Sequence, residues 1–390
     1  MKHRRLENMR YSFVLLLVIF FFASIRAPAE EPPRAPEVRA IWVTRWDYRS
    51  AADIRTILGN CRSLGLNRVY FQVRGRSDAF YRSNLEPWAE ELGGRDPGFD
   101  PLAVAIAEAR KQALELHAWA NVLAGWKGRS PPKNTTHLYH AHPKWFLTDR
   151  SGKTWRLSHH YTMLNPCNSA VRRHLAEVFG DLASRYEIDG VHLDYIRFVF
   201  PDADKRDQVP YDNGTLHIFR KETTGFPSRY PDRWNDFRRR GINTVVYDIS
   251  RQVRKVRPGC KISAAVIRDL RRGRETFFQD SPTWLRYGWI DEVIPMNYET
   301  DLSRFESLAR KDIGQAGRDR LIPGLGVHVM DGEADLRKQI EITRALHSPG
   351  YSLFAYTSFF PTPSHASSQG KRADLERRAF RRELIRLNRR

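Results

Sequence analysis

The chain has 390 residues, 41% hydrophobic and 12% aromatic, which excludes a disordered polar chain and allows one large core or two ordinary ones. Its 65 Lys and Arg against 45 Asp and Glu leave a net charge of +20, which favours anionic partners. Three scattered cysteines, Cys61, Cys167 and Cys260, exclude a disulfide framework and a structural zinc site.

The amino terminus carries a basic stretch, "MKHRRLENMR", an apolar run, "YSFVLLLVIFFFASI", and the small-residue segment "APAE". That order predicts a signal peptide over residues 1–29, cleaved after Ala29, followed by a linker over 30–35. A secreted or periplasmic protein is expected. An uncleaved N-terminal anchor is the alternative, although the run is short for a span of roughly 20 residues.

From residue 36 onward, short apolar or β-branched runs alternate with helical patterns. "VRAIWVTR" (38–45) reads as a strand, and "SAADIRTILGNCRSLG" as a helix stopped at Gly65. "NRVYFQVRG" (67–75) is the second strand; a helix capped by Asp100 with Pro101 in its first turn follows. "LELHAWANV" (114–122) is the third strand and "DGVHLDYIRF" (189–198) the fourth. Four more follow at 261–267, 290–298, 320–328 and 351–359, with helical sequence between them. Eight alternating units predict a single (β/α)8 TIM barrel over 36–365, with long loops after strands 3 and 4 (123–168 and 199–232). An open doubly wound sheet is the alternative, but "TRWDYRS" after the first strand is no phosphate-binding loop. Residues 366–390 are expected to form a basic C-terminal helix or tail with a solvated face.

Barrel chemistry sits at the carboxyl ends of strands. Strand two offers Gln72 and Arg74, strand three His117, Trp119 and Asn121, and strand four His192 and Asp194. Strand six offers Asn297, Tyr298 and Glu299, and strand eight Tyr356 and Ser358. Period-two spacing puts such groups on one face. Aromatic faces with amide, Arg and His donors suit sugars. Trp42, Trp46, Trp88, Trp126 and Trp155 are expected on or near the same rim. A metal held by His117, His192 and Asp194 is the alternative, but no third histidine reaches a matching strand end; no metal and no cofactor are expected. Nor is there a nucleic-acid motif, so no such partner is expected.

The segments "EVRAIWVT", "VYFQVRGRSDAFYRSNLEPWAEELGG", "FDPLAVAIAEARKQALELHAWAN", "DGVHLDYIRF", "DEVIPMNY" and "LIPGLGV" resemble the glycosyl-hydrolase-like 10 family over roughly residues 36–360. The resemblance implies a (β/α)8 glycosidase-like protein acting on bacterial glycans, including peptidoglycan strands stripped of their stem peptides. The family's strand-four motif carries a paired acid, D-G-x-H-x-D-D-Y; here Asp194 is followed directly by Tyr195. Its strand-three ending continues N-P-Y/F, where this chain reads "NVLAGW".

Asp194 is therefore expected as a catalytic carboxyl. Glycoside cleavage normally uses two. Glu299 is the first choice for the second, with Asp269 and Asp78 behind it. Asp189 and Asp291 precede their strands and belong to the opposite, stabilising face. Trp42, Gln72, Arg74, His117, Trp119, Asn121, His192, Tyr195, Arg197, Asn297 and Tyr298 are expected to contact substrate. Arg74, Arg76 and Arg197 are expected to attract an anionic glycan, with the lactyl carboxylate of muramic acid as the group they pair with. A glycan-binding barrel without catalysis is the alternative function.

Overall fold

In the computed structural model, residues 36–154, 157, 160–198, 209–362 and 371–389 are described. The expected signal peptide and linker, Trp155 and part of the loop after the fourth barrel strand lie outside them. Residues Glu37–Arg390 cluster as one unit.

Ten strands occur in chain order: β1 (Val38–Val43), β2 (Arg68–Arg74), β3 (Glu115–Asn121), β4 (Ala124–Lys127), β5 (Tyr161–Met163), β6 (Gly190–Asp194), β7 (Lys261–Ile267), β8 (Glu292–Asn297), β9 (Gly324–Gly326) and β10 (Gly350–Phe354). Eight close into a parallel barrel in the order β1-β10-β9-β8-β7-β6-β3-β2. The remaining two, β4 and β5, form an antiparallel ribbon inside the long loop after β3. The protein is thus a (β/α)8 barrel, as the alternating pattern requires.

Local chemistry sets the boundaries. Ser50 and Asp53 form a reciprocal capping box on the helix Ala51–Ser63, and Gly65 takes the left-handed conformation just beyond it. Asp100 accepts from the N–H groups of Leu102 and Ala103, and Pro101 occupies the first turn of the next helix. Asp189 and Asp291 sit before β6 and β8, where each accepts a backbone N–H from the neighbouring strand, Leu116 and Ile262 respectively. Both tie strand starts together at the end of the barrel away from the strand carboxyl termini.

Two expected strands are shorter than their sequence patterns. Pro323 has no N–H to donate, and β9 pairs only over Gly324–Gly326. After β10 the chain enters a 3-10 turn, Tyr356–Ser358. The Tyr356 hydroxyl accepts from Asn60 on a surrounding helix, so Tyr356 and Ser358 are not inward strand-end groups.

The interior holds large polar and aromatic groups against small ones. A Cβ on Gly190 would lie 2.5 Å from His117 Nδ1, and one on Gly324 2.9 Å from Trp42. Only glycine leaves room for those rings. The C-terminal helix Lys371–Asn388 buries Phe380, Leu384 and Leu387 and leaves Arg378 and Arg382 exposed. Asn388 ties its end to Leu64 and Tyr351. The basic run therefore belongs to a docked helix, with Arg377 buried and Arg378 and Arg382 on its exposed side.

Candidate active site

A cavity of about 520 Å³ opens among the carboxyl ends of the barrel strands. That is the size of a small-ligand site. Its wall includes Thr44, Arg45 and Trp46 after β1, Gln72 of β2, Trp119 and Asn121 of β3, and Tyr161 of the β4–β5 ribbon. Asp194, Tyr195 and Arg197 enter from β6, and Arg268, Arg272, Tyr298 and Phe354 close the far side.

Asp194 is the last residue of β6 and is 7% exposed. Trp119 Nε1 donates to its Oδ2 at 3.2 Å. Tyr195 has a positive φ of 52°, a costly conformation for a bulky residue. It turns the Tyr195 N–H back onto Asp194 Oδ1 at 2.6 Å. Burial raises the Asp194 pKa above the ordinary carboxylate value, against the opposing pull of the Tyr195 N–H, Arg197 and Trp119. The result is an acid that retains its proton further toward neutrality than a surface aspartate. Trp119→Phe removes a donor to the ionised form, so the Asp194 pKa should rise further. A carbon-13 NMR titration of the carboxyl checks this, and a downward shift would contradict the hydrogen-bond account.

Of the groups expected at the sugar surface, Gln72, Trp119, Asn121, Tyr195, Arg197 and Tyr298 line this cavity with Asp194. They are mutually braced. Gln72 Nε2 donates to Asn121 Oδ1, and Asn121 Nδ2 to the Gly75 carbonyl. The Tyr298 hydroxyl is held protonated by burial, then by Asp194 and Tyr195.

The other five are placed elsewhere. Trp42 and His192 lie inside the barrel, joined by a 3.0 Å hydrogen bond, and the second His192 nitrogen meets Ser263 Oγ at 2.9 Å. His117, fully buried, packs edge-on to Tyr70. Asn297 Nδ2 donates to the Phe305 carbonyl of the following helix. Arg74 leaves the barrel axis to pair with buried Glu86. Inward spacing puts a side chain in the barrel, but its level along the strand decides between core and mouth.

Glu299 does not line the cavity. It sits 3.0 Å from Arg304 and 3.4 Å from Arg268. Asp269 caps the helix Leu270–Thr276 and pairs with Lys311 at 2.8 Å. Asp78 accepts the Arg76 N–H and pairs with its guanidinium. Each candidate second carboxyl thus lies outside the cavity lining and is engaged by a cation. Among the described lining residues, Asp194 is the one carboxylate.

Among the rim tryptophans, Trp46 lines the cavity at 40% exposure. Trp126 is buried in the ribbon under Arg76, and Trp88 is half-buried beside Ala79. Sequence reasoning missed Arg45, Tyr161, Arg268 and Phe354. Arg45 carried a signal, since it stands just past a strand's last apolar residue. Tyr161 carried none, because a ribbon within a loop delivers it.

Residues 37–340 match the model of the family described as glycosyl hydrolase-like 10. The chain is similar to the glycosyl hydrolase DigH of Escherichia coli K12, with 24% identity over 389 residues, covering 83% of this chain and 84% of that protein. It is also 24% identical to the glycosyl hydrolase YngK of Bacillus subtilis, over 67% of this chain and only 54% of that protein's length. Among solved structures, the glycoside hydrolase domain of PgaB from Bordetella bronchiseptica superposes with a TM-score of 0.63 at 15% identity, covering 88% of this chain and 99% of that one. The catalytic domain of β-amylase from Paenibacillus polymyxa gives 0.60 at 10% identity, covering 91% and 99%. These structural likenesses concern the fold.

Proposed function

The chain belongs to the glycosyl hydrolase-like 10 family, and from that premise we propose that it is a secreted glycoside hydrolase cleaving bacterial polysaccharide, with peptide-free peptidoglycan strands as its substrate. The observation that carries this reading is the placement of Asp194. A buried carboxyl with a raised pKa ends a barrel strand inside a cavity walled by Trp46, Trp119, Tyr195 and Tyr298. A carboxyl of that kind retains a proton to give to a glycosidic oxygen. Aromatic faces accept the C–H faces of sugar rings, and Gln72 and Asn121 provide amide groups for hydroxyls. The signal-like sequence over residues 1–29 supports export to where such glycans lie.

One observation favours a second reading, a glycan-binding barrel without hydrolysis. Two-carboxyl cleavage places its groups roughly 5–9.5 Å apart, and Asp194 has no carboxyl companion among the described lining residues. The two readings part on one measurement. Peptidoglycan stripped of stem peptides should yield new reducing ends when incubated with the purified protein, and intact peptidoglycan should yield fewer. Binding to the stripped strands with no new reducing ends would replace the first reading by the second. In the native host, the exported protein should begin at Glu30, and N-terminal sequencing of the secreted or periplasmic fraction tests that.

A further inference from the structure

We propose that Arg45 reads a carboxylate on the bound glycan, so that the cavity selects sugar acids over neutral sugars; the inference rests on the glycan-processing reading of the same site. Arg45 follows β1 and is 1% exposed, yet it lines the cavity. Its backbone N–H donates to Gln72 Oε1 at 3.1 Å, its Nε to Glu91 at 3.1 Å and its Nη2 to the Tyr161 hydroxyl at 3.2 Å. The remaining nitrogen, Nη1, is buried and meets no acceptor among the described residues. A guanidinium is always charged and has five donors in a fixed fork. A buried donor without a partner is costly, so the site is built for an acceptor that arrives with the ligand.

The charge balance around Arg45 calls for an anion. Glu91 does not neutralise Arg45 alone, because its other oxygen is held by Arg76 at 2.6 Å. Arg76 is shared in turn with Asp78 at 3.4 Å. Lys127 adds a third cation, its pKa lowered by burial and by the neighbouring Arg45 and Arg76. Three cations thus face two carboxylates. Trp46 stacks on the guanidinium, 4.0 Å from ring centroid to carbon. Nη1 and Nη2 are the end-on pair of the guanidinium, a geometry that matches a carboxylate's two oxygens. Of the arginines expected in this role, Arg76 belongs to this cluster without lining the cavity, and the other two have protein partners of their own. Arg74 is paired with Glu86, and Arg197 lies 4.7 Å from the Tyr195 ring centroid and donates to the Phe198 carbonyl.

A sugar carboxylate comes from two sources, a uronic acid ring or the lactyl ether of muramic acid, and matched oligosaccharides of each distinguish them. Binding is measured on the Asp194→Asn protein, so that turnover plays no part. Each oligosaccharide is compared with its carboxyl-reduced alcohol. For one acid or the other, reduction should weaken binding roughly 10- to 100-fold. The difference should persist at about 0.5 M salt, because a desolvated pair is poorly screened. In the Arg45→Gln background acid and alcohol should bind alike, whereas Arg272→Gln, at an exposed arginine of the same cavity, should preserve the difference. Arg45→Gln also loses Glu91 and Tyr161, so Arg45→Lys is made beside it; it keeps the charge, lacks the fork and should lose most of the discrimination. If either variant unfolds, the reduction and salt comparisons on the parent protein decide. Equal binding of acid and alcohol for both sources, no binding of any of them, discrimination that vanishes in salt, or discrimination that survives Arg45→Gln would each overturn the proposal. Failure of hydrolysis would look different: no new reducing ends, with the acid preference intact.

Discussion

Replacing Asp194 by asparagine should lower glycan hydrolysis by roughly 10²–10⁴-fold, the usual contribution of a positioned acid or base, while oligosaccharide binding stays near its original level. Asparagine keeps the shape and can still accept from the Tyr195 N–H through its one oxygen, while its Nδ2 replaces the oxygen that accepts from Trp119 Nε1, so one of the two hydrogen bonds that hold the carboxyl is lost. It cannot deliver a proton. Stability should change in a pH-dependent way. The folded-state pKa of Asp194 is raised by burial, so folding disfavours its ionised form. The wild-type protein therefore loses stability as pH rises through the ordinary carboxylate range toward the raised folded value. The asparagine variant escapes that loss, so its melting temperature relative to the wild type should rise from acid to neutral pH. Initial rates of reducing-end release and thermal melts at two pH values check both halves. Full hydrolysis in the variant would remove Asp194 from the mechanism.

Arg74→Met should destabilise the protein by about 3–5 kcal/mol, the cost of leaving one charge of a buried pair without its partner. Arg74 is 1% exposed, and Glu86 is 5% exposed with a side chain that is fully buried. The guanidinium makes a two-pronged contact, Nε to Oε2 at 2.7 Å and Nη2 to Oε1 at 2.6 Å. Its Nη1 also holds the carbonyls of Asn121 and Val122, where β3 gives way to the ribbon loop. Burial raises the Glu86 pKa, but Arg74 and His174 outweigh it and hold the carboxyl down to about 2. The stabilisation from that pair is complete above the ordinary carboxylate range and lost as pH falls through about 2. Without Arg74, Glu86 is a buried acid with a raised pKa, and protonation relieves it. The deficit of Arg74→Met should therefore shrink as the pH is lowered. Adding Glu86→Leu should recover much of the loss, because no lone buried charge remains. Urea denaturation of the wild type, both single variants and the double variant measures the coupling. Additive single effects would mean that the pair is not a unit.

The barrel was legible because its signals are local and repeated. Each strand and helix announces itself through hydrophobic periodicity, and caps such as Ser50 and Asp100 mark boundaries through contacts within a few residues. Asp194 was legible for a related reason: an apolar strand that ends on a carboxylate is unusual, and the end of a barrel strand is where chemistry sits. The same reasoning drew Trp42, His117 and His192 toward the substrate, because alternation reports the inward face and is silent on depth. Neighbouring strands are staggered, so residues at similar sequence distances from their strand ends sit at different levels along the axis.

The sequence by itself determined the eight-fold alternation, the helix caps, the basic charge and the carboxylate that closes β6. Tertiary structure decided which charged groups remain available to a ligand. Arg74 and Glu299 each look like site residues until their partners, Glu86 for the first and Arg268 with Arg304 for the second, are brought beside them by chain folding. Arg45 acquires its meaning the same way: Glu91 and Tyr161, 46 and 116 residues along the chain, take two of its donors and leave Nη1 over. Pairing between charges depends on distances of a few ångströms and on exclusion of water, and neither quantity is written in the spacing of residues along a chain.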